Sequence, residues 1–492
     1  MRGMPARRVV LTLICSMFAL ALGPASAGAS HPLRTGIVDA GPFNQPRNIP
    51  GAFDLARAAG TNTIRLYTIW RRHAPATRPA GFDPGNPADP AYDWSLLDLQ
   101  VRTAKAEGLE PILSIEGAPD WATASNQPLP GTVRPSPTEY ALFARAAARR
   151  YSGSFGDLPR VRYWQAWNEP NYFRHLGPQY DTPVSEPVRP SSRLLSPAIY
   201  RTLVNAFADA VHRVRASNLV IAGGLSPFGN ERANTHVART LPFMRALLCM
   251  TRRNRPQRGC RGRLRADVWS HHPYTAGGPT HENLAAEDVS LGDLPEMRRL
   301  LNAAIKARRI VSRRRVEFWA TEFSWDTNPP DSGAVPMRLH RRWVAHALYV
   351  MWKAGISSVN WFQIRDAGGA TPGEHLFESG MYFWCLEGPQ CWRPKPSLTA
   401  FRFPFVAFTN RKGVLVWGRT PFGRRGRVVI EQRGSSWRRV AALRTDRHGI
   451  FTTTLDASKR GYVRARLRGR SGELSVPFSL RRVPDRPVNP FG

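Results

Sequence analysis

Two stretches of this chain each end a buried-looking run on a glutamate. "WQAWNEPN" (Trp164–Asn171) sets Asn168 beside Glu169 and stops at Pro170, and "EFWATEFSW" (Glu317–Trp325) carries Glu322. Upstream of each glutamate the residues are aromatic and apolar over the length of a strand, and a proline cannot continue a hydrogen-bonded ladder. A carboxylate presented at a strand end is a candidate for chemistry once a second one can face it. Paired carboxylates, one as acid/base and one as nucleophile or base, are what cleavage of a glycosidic bond requires. The plainer reading, two unrelated surface charges, sits badly with runs that should be buried.

The elements around these glutamates decide whether they can meet. From about residue 34 to 408, short apolar runs alternate with amphipathic segments. "RTGIVDA" precedes "PGAFDLARAAG", "TNTIRLYTIW" precedes "YDWSLLDLQVRTAKAEG", and the rhythm continues to "ISSVNWFQI" and a short "PSLTAFRF" helix. Eight strand-helix units predict an α/β fold of the (β/α)8 TIM-barrel type over an open doubly wound sheet. No glycine-rich phosphate loop follows the first strand, which also weighs against a dinucleotide fold. Glu169 then ends strand four and Glu322 strand seven, so a closed barrel brings both to one mouth. The Pro/Gly-rich insertions around 71–92, 170–196, 225–236, 275–290, 326–335 and 366–396 all follow strands, and predict walls around that mouth. After about residue 409 the pattern changes to short alternating strands such as "GVLVWGR" and "GYVRARL", which predict a small C-terminal β-sandwich. The expected organisation is a signal peptide over 1–27, a catalytic barrel over 28–408 and an accessory sandwich over 409–492, with the tail "RRVPDRPVNPFG" frayed.

"WNEPN" followed about 150 residues later by "TEFSW" resembles the retaining glycoside hydrolases of clan A, of the family 5 (cellulase-like) and family 39 kind. The resemblance covers most of residues 34–408 and implies Glu169 as acid/base, Asn168 beside it to hold a sugar hydroxyl, and Glu322 as nucleophile. It further implies substrate-binding roles for Arg65 in "TIRLY", for His272 and Tyr274 in "HHPY", for Trp361 in "VNWFQ" as an aromatic platform, and, by a looser match, for Trp121. Arg65 would keep the nucleophile ionised through charge-assisted hydrogen bonds; its plainer reading is a structural ion-pair partner, as Trp361's is barrel filling. The His-His pair does not suggest a metal, because adjacent strand residues point to opposite faces. His271 reads as structural, and neither metal nor cofactor is expected. Ser324 stands where many relatives carry glycine and Ala166 at a variable place, so the sugar stays open.

Composition bounds the rest. At 492 residues and 42% apolar content, the chain can hold a barrel and an appendage. The formal charge of +34 invites a polyanion partner, yet lysine occurs only as Lys105, Lys306, Lys353, Lys395, Lys412 and Lys459. Scattered arginines follow from a GC-rich coding bias at least as well as from nucleic-acid binding. Arg2, Arg7 and Arg8, then "VVLTLICSMFALALG" and "PASAGAS", form a charged region, an apolar region and a cleavage site, with cleavage expected after Ala27. The mature chain is expected to be exported, extracellular or wall-associated, without a membrane span. Four cysteines then remain, Cys249, Cys260, Cys385 and Cys391; they allow three connectivities, of which the two local loops are the simplest. The reading is an exported retaining glycosidase acting on poly- or oligosaccharides, with anionic glycan or cell-wall contact as a further partner. The alternative is a non-catalytic carbohydrate- or wall-binding protein on the same scaffold.

Overall fold

The structure is a computed structural model that describes residues 31–124, 129–368, 377–469 and 472–489. The expected signal peptide lies outside the described residues. Eight parallel strands close into a barrel: β1 (Arg34–Val38), β2 (Thr63–Ile69), β3 (Glu110–Glu116), β4 (Tyr163–Ala166), β5 (Leu219–Leu225), β6 (Val268–His271), β7 (Glu317–Ala320) and β8 (Ser358–Phe362). Each pairs with its neighbour in chain order, and β8 returns to β1. Parallel pairing requires crossovers. Seven are built on α1 (Ile49–Ala58), α2 (Ser95–Ala106), α3 (Pro137–Arg150), α4 (Ser196–Val214), α5 (Thr240–Leu248), α6 (Leu294–Lys306) and α7 (Met337–Lys353), and α8 (Ser397–Arg402) follows β8.

Local sequence explains the helices that hold the site strands. "SPTE" starts α3: Pro137 occupies the first turn, and the Ser136 hydroxyl accepts from the Glu139 N–H at 3.3 Å. In α4, Tyr200, Leu203, Val204, Phe207 and Val211 recur at helical spacing and are all buried. Two helix tyrosines reach back to the strands. Tyr140 donates to the Ile115 carbonyl at 2.7 Å, and Tyr200 donates to the Ala166 carbonyl at 2.8 Å while accepting from Gly223 N–H at 2.8 Å. They pin the ends of β3, β4 and β5, where the site lies.

The barrel interior is closed low down by Ile112, Tyr163, Leu219, Ile221, Val268 and Trp319, a cluster separate from the main core between strands and helices. Two residues further along the same strands come Ser114 and Gln165. Side chains of one parity share a face, so the polar residues stand directly above an apolar plug.

C-terminal strands are β9 (Phe405–Asn410), β10 (Gly413–Arg419), β11 (Arg427–Arg433), β12 (Trp437–Arg444), β13 (Ile450–Leu455), β14 (Tyr462–Leu467) and β15 (Phe478–Ser479). They form two antiparallel sheets, β9-β10-β13 and β12-β11-β14-β15, the expected β-sandwich. Trp417 of β10 is fully buried, its ring 5.4 Å from both Tyr349 and Trp352 of α7. The segment after β15 is not frayed as expected over 481–489. Asp485 accepts from Gly278 N–H at 2.6 Å and pairs with His281 Nδ1 at 2.6 Å, and Val488 N–H donates to the Ala276 carbonyl at 2.9 Å. Disulfides join Cys249 to Cys260 and Cys385 to Cys391, the two local loops. Among the described residues, no helix is long and apolar enough to cross a membrane.

Candidate active site

Beyond β4 the chain adopts a costly conformation. Trp167 has φ +68° and Glu169 φ +37°, a region that costs a non-glycine residue about 1–3 kcal/mol. Surrounding bonds hold it there. Buried Trp167 donates its ring N–H to the His175 carbonyl at 2.8 Å, and its backbone N–H to Ile115 at 2.9 Å. Glu169 N–H donates to Gly224 at 3.1 Å. In a regular strand Asn168 and Glu169 would face opposite ways; the kink lets both line the same cavity.

Glycine makes room opposite. The register of β5 against β6 shifts between Gly223 and Leu225. A Cβ on Gly224, which has φ +59°, would fall 2.9 Å from Gln165 Nε2 and 3.3 Å from His272 Nε2. Any larger residue would displace the two side chains that support the glutamates.

Glu322 follows β7 and is held by three donors. Arg65 donates to its Oε1 at 2.6 Å, Tyr67 to the same oxygen at 2.7 Å, and Tyr274 to Oε2 at 3.2 Å. Arg65 is completely buried and all three of its guanidinium nitrogens are hydrogen-bonded, to Gln165 Oε1 (2.9 Å), Ser114 Oγ (2.9 Å) and Asn168 Oδ1 (2.7 Å) besides Glu322. Burial pushes the Glu322 carboxyl up, but His272, Arg65 and the hydrogen bonds from Tyr67 and Arg65 outweigh it and hold the group below the ordinary carboxylate range. Burial and the Glu322 charge drive both phenols, Tyr67 and Tyr274, well above their ordinary value, so they remain donors.

Glu169 stands across from it. His272 Nδ1 is 3.0 Å from Glu169 Oε1 and 3.6 Å from Glu322 Oε2, while its Nε2 meets Thr321 Oγ1 at 3.1 Å. One oxygen of each glutamate and a His272 nitrogen lie within 4.8 Å of one another. Such a trio has the donor atoms of a cation site. Here protein donors already engage both Glu322 oxygens, and the arginine occupies the electrostatic role, so the set suits proton and nucleophile chemistry. On the other flank, His175 Nε2 lies 3.7 Å from Glu169 Oε2 and its Nδ1 3.1 Å from Glu116 Oε2. Burial would depress this imidazole, but the Glu116 hydrogen bond and charge, with Glu169 and Glu322 beyond, push it up to about 9.

These groups open into a cavity of about 720 Å³. The loops after the strands wall it with Arg72, Tyr172, Phe228, Asn230 and Phe377. Arg65, Asn168, Glu169, His272, Tyr274 and Glu322 are therefore brought together. Two aromatic residues are not. Trp361 is 1% exposed and has outward parity: it contacts His340 of α7 and Phe401 of α8 and donates to the Ser379 carbonyl at 2.8 Å. The β8 aromatic on the cavity is its neighbour Phe362. Trp121 turns away from the mouth, packing edge-on to Trp70 and Phe82 and donating to the Pro75 carbonyl at 2.9 Å. Tyr67, Glu116 and His175 were not legible as site residues from motifs. Tyr67 and Glu116 each follow an inward residue, Arg65 and Ser114, by two positions, so strand parity alone would have found them.

No protein-family model matches the chain, and no curated protein matches it in sequence. Solved structures do match in fold. A family 39 glycoside hydrolase from the gut symbiont Bacteroides cellulosilyticus WH2 is 16% identical, with a TM-score of 0.50 over 86% of this chain and 81% of that one. Fpglu1 from Fervidobacterium pennivoraus is 14% identical, with a TM-score of 0.46 over 75% of this chain and 94% of that one. Bacteroides uniformis beta-glucuronidase 2 is 13% identical, with a TM-score of 0.42; the match takes in 92% of this chain but only 46% of that one. At these identities the likeness is one of fold.

Proposed function

We propose that this chain is an exported retaining glycoside hydrolase that cleaves O-glycosidic bonds, in the β configuration, in poly- or oligosaccharides. The observation that carries the reading is the proximity of Glu169 and Glu322, with oxygens within 4.8 Å at the mouth of the barrel. Retaining enzymes hold their carboxyl groups about 5–5.5 Å apart, whereas inverting enzymes need roughly 6.5–9.5 Å to admit a water between them.

Glu322, kept ionised by Arg65, Tyr67 and His272, attacks the anomeric carbon and forms a glycosyl-enzyme. Glu169 gives its proton to the departing oxygen, then takes one from the water that releases the sugar. Asn168 has its Oδ1 committed to Arg65 at 2.7 Å, which leaves the amide N–H₂ as the end suited to a sugar hydroxyl. Tyr274 and Tyr67 hold the nucleophile's oxygens in place. The binding-only alternative has to explain a buried arginine and two phenols spent on one carboxylate, which a wall-binding protein does not need. We assign residues 1–27 as a secretion signal and the C-terminal sandwich as an accessory unit; its first strand β9 begins at Phe405, so the boundary expected at 409 falls inside that strand. The two disulfides suit an oxidising compartment.

The test is hydrolysis of a panel of aryl glycosides and polysaccharides by the full chain, with the first-formed anomer followed by NMR. Retention of configuration is expected. An inverted product overturns the mechanism, and saccharide binding without turnover on any substrate would return the chain to the binding class.

A further inference from the structure

A second, smaller void opens from the main cavity. It measures about 260 Å³ and shares Ile69, Glu116 and His175 with the larger space. Its remaining charged walls are Arg71 and Arg174, and Arg72 lines the main cavity close by in the chain.

The backbone is cut away for Arg71. Its Nη1 donates to the Pro130 carbonyl at 3.2 Å, and a Cβ on either Gly117 or Gly131 would fall 2.9 Å from that nitrogen. Both glycines have positive φ, +67° and +77°. The guanidinium therefore lies in a slot made for it. Arg174 reaches the same void from the loop after β4, its guanidinium carbon 5.7 Å from the Phe173 ring.

None of Arg71, Arg72 and Arg174 forms an ion pair among the described residues. The one carboxylate on the small void, Glu116, is engaged by His175 at 3.1 Å. Two guanidiniums without a counter-ion among the described residues thus line a half-open hollow beside the main cavity, with a third at its approach. Cations gathered on one hollow attract an anion, and the planar fork of arginine matches a carboxylate in two-point contact.

We infer that this void is a subsite for a uronic acid residue of the glycan, its carboxylate held by Arg71 and Arg174 with Arg72 at the entrance. The inference rests on the proposed function only for which group passes between Glu169 and Glu322. It narrows the substrate from any saccharide to an acidic one.

Binding to full-length Glu322→Gln protein, measured calorimetrically, separates the subsite from turnover. The probes are oligogalacturonides, oligomannuronates and glucuronate-bearing xylo-oligosaccharides, each paired with its carboxyl-reduced form. At least one acidic probe is expected to bind at least tenfold more tightly than its reduced counterpart. That ratio should fall at least fivefold in a second background carrying Arg174→Gln, and again with Arg72→Gln. All three arginines are exposed, but Arg71 also donates to the Pro130 carbonyl, so Arg174 and Arg72 are the substitutions that leave that loop contact intact. Acidic probes that bind no better than reduced ones, or a preference unchanged in both variants, overturn the inference. An acid preference lost in the variants, alongside a wild-type chain that hydrolyses nothing, would keep the subsite and discard the catalytic reading.

Discussion

Arg65 Nη1 and Glu322 Oε1 meet at 2.6 Å although 257 residues separate them in the chain. The pair closes the barrel's polar layer: β2 supplies the cation, the turn after β7 supplies the anion, and Ser114, Gln165 and Asn168 accept three further guanidinium N–H bonds. A buried charge is tolerated when it is paired and hydrogen-bonded, and removing one partner strands the other.

That arrangement fixes a prediction for pH. With Arg65 present the Glu322 carboxyl lies below its ordinary value, so the ionised form needed for attack persists as pH falls. In Arg65→Gln the acid limb of kcat/KM should move to higher pH, and kcat should drop on the order of a hundredfold or more, in keeping with loss of a buried charge partner. A limb that stays in place in the variant would mean Arg65 does not set the nucleophile's ionisation.

The glutamates should differ in how they fail. Glu322→Gln removes the nucleophile and should abolish turnover of every substrate. Glu169→Ala removes only the proton donor and base, functions typically worth about 10²–10⁴ in rate. Aryl glycosides with acidic leaving groups should still glycosylate Glu322, and azide should rescue release by yielding a glycosyl azide of retained configuration. Identical behaviour of the two variants across leaving groups would contradict the assigned roles.

Much of this was readable from the sequence because barrel strands and helices announce themselves by length and period, and because Asn168-Glu169 and Glu322 sit at the ends of two such strands. The failures are instructive in the same terms. The resemblance implies Trp361 as an aromatic platform, but side chains alternate along β8 and the inward positions are Asn360, which accepts from Thr63 Oγ1 at 3.2 Å inside the barrel, and Phe362. One residue of register moves an aromatic from the sugar side to the helix side. His175 was not readable at all. It lies in a loop, and its place is set by bonds outside its own short stretch: its carbonyl accepts from the Trp167 ring N–H, and its ring donates to the Glu116 carboxylate. Likewise the tail's attachment through Asp485 depends on Gly278, 207 residues away, which local composition does not encode.

The sandwich should matter for stability and leave small-substrate chemistry alone. Trp417 is fully buried against Tyr349 and Trp352 of α7, and Phe408 packs on Tyr349 with ring centres 5.7 Å apart. Large-to-small changes of buried aromatics cost about 3–5 kcal/mol. Trp417→Ala should lower the urea midpoint accordingly while KM for a soluble aryl glycoside stays as it was. A chain ending at Pro404, just before β9, should be markedly less stable, because those α7 aromatics lose both Phe408 and Trp417. If the truncated chain melts at the full-length temperature, the sandwich does not brace the barrel.

His175 gives the last prediction, and its sign follows from the two states. In the folded chain its imidazole is pushed up to about 9 from an ordinary 6.5, with Glu116 as the principal raising partner. The folded state therefore holds this proton more tightly than the unfolded one between those values. Its contribution to stability is complete below about pH 6.5, declines as pH rises toward 9, and is gone above that. Glu116→Gln removes the hydrogen-bonded carboxylate, so the imidazole should titrate closer to its ordinary value, and the fall in melting temperature across that window should flatten. A two-dimensional NMR titration of the His175 ring reads the midpoint directly in both proteins. The kinetic counterpart lies at Glu169, 3.7 Å from His175 Nε2: losing the imidazolium changes the charge beside the acid/base, so the pH dependence of kcat/KM should differ between the wild type and Glu116→Gln across the window in which His175 titrates. Coincident midpoints in the two proteins, with superimposable pH-rate profiles, would show that the Glu116–His175 pair does not act on the acid/base.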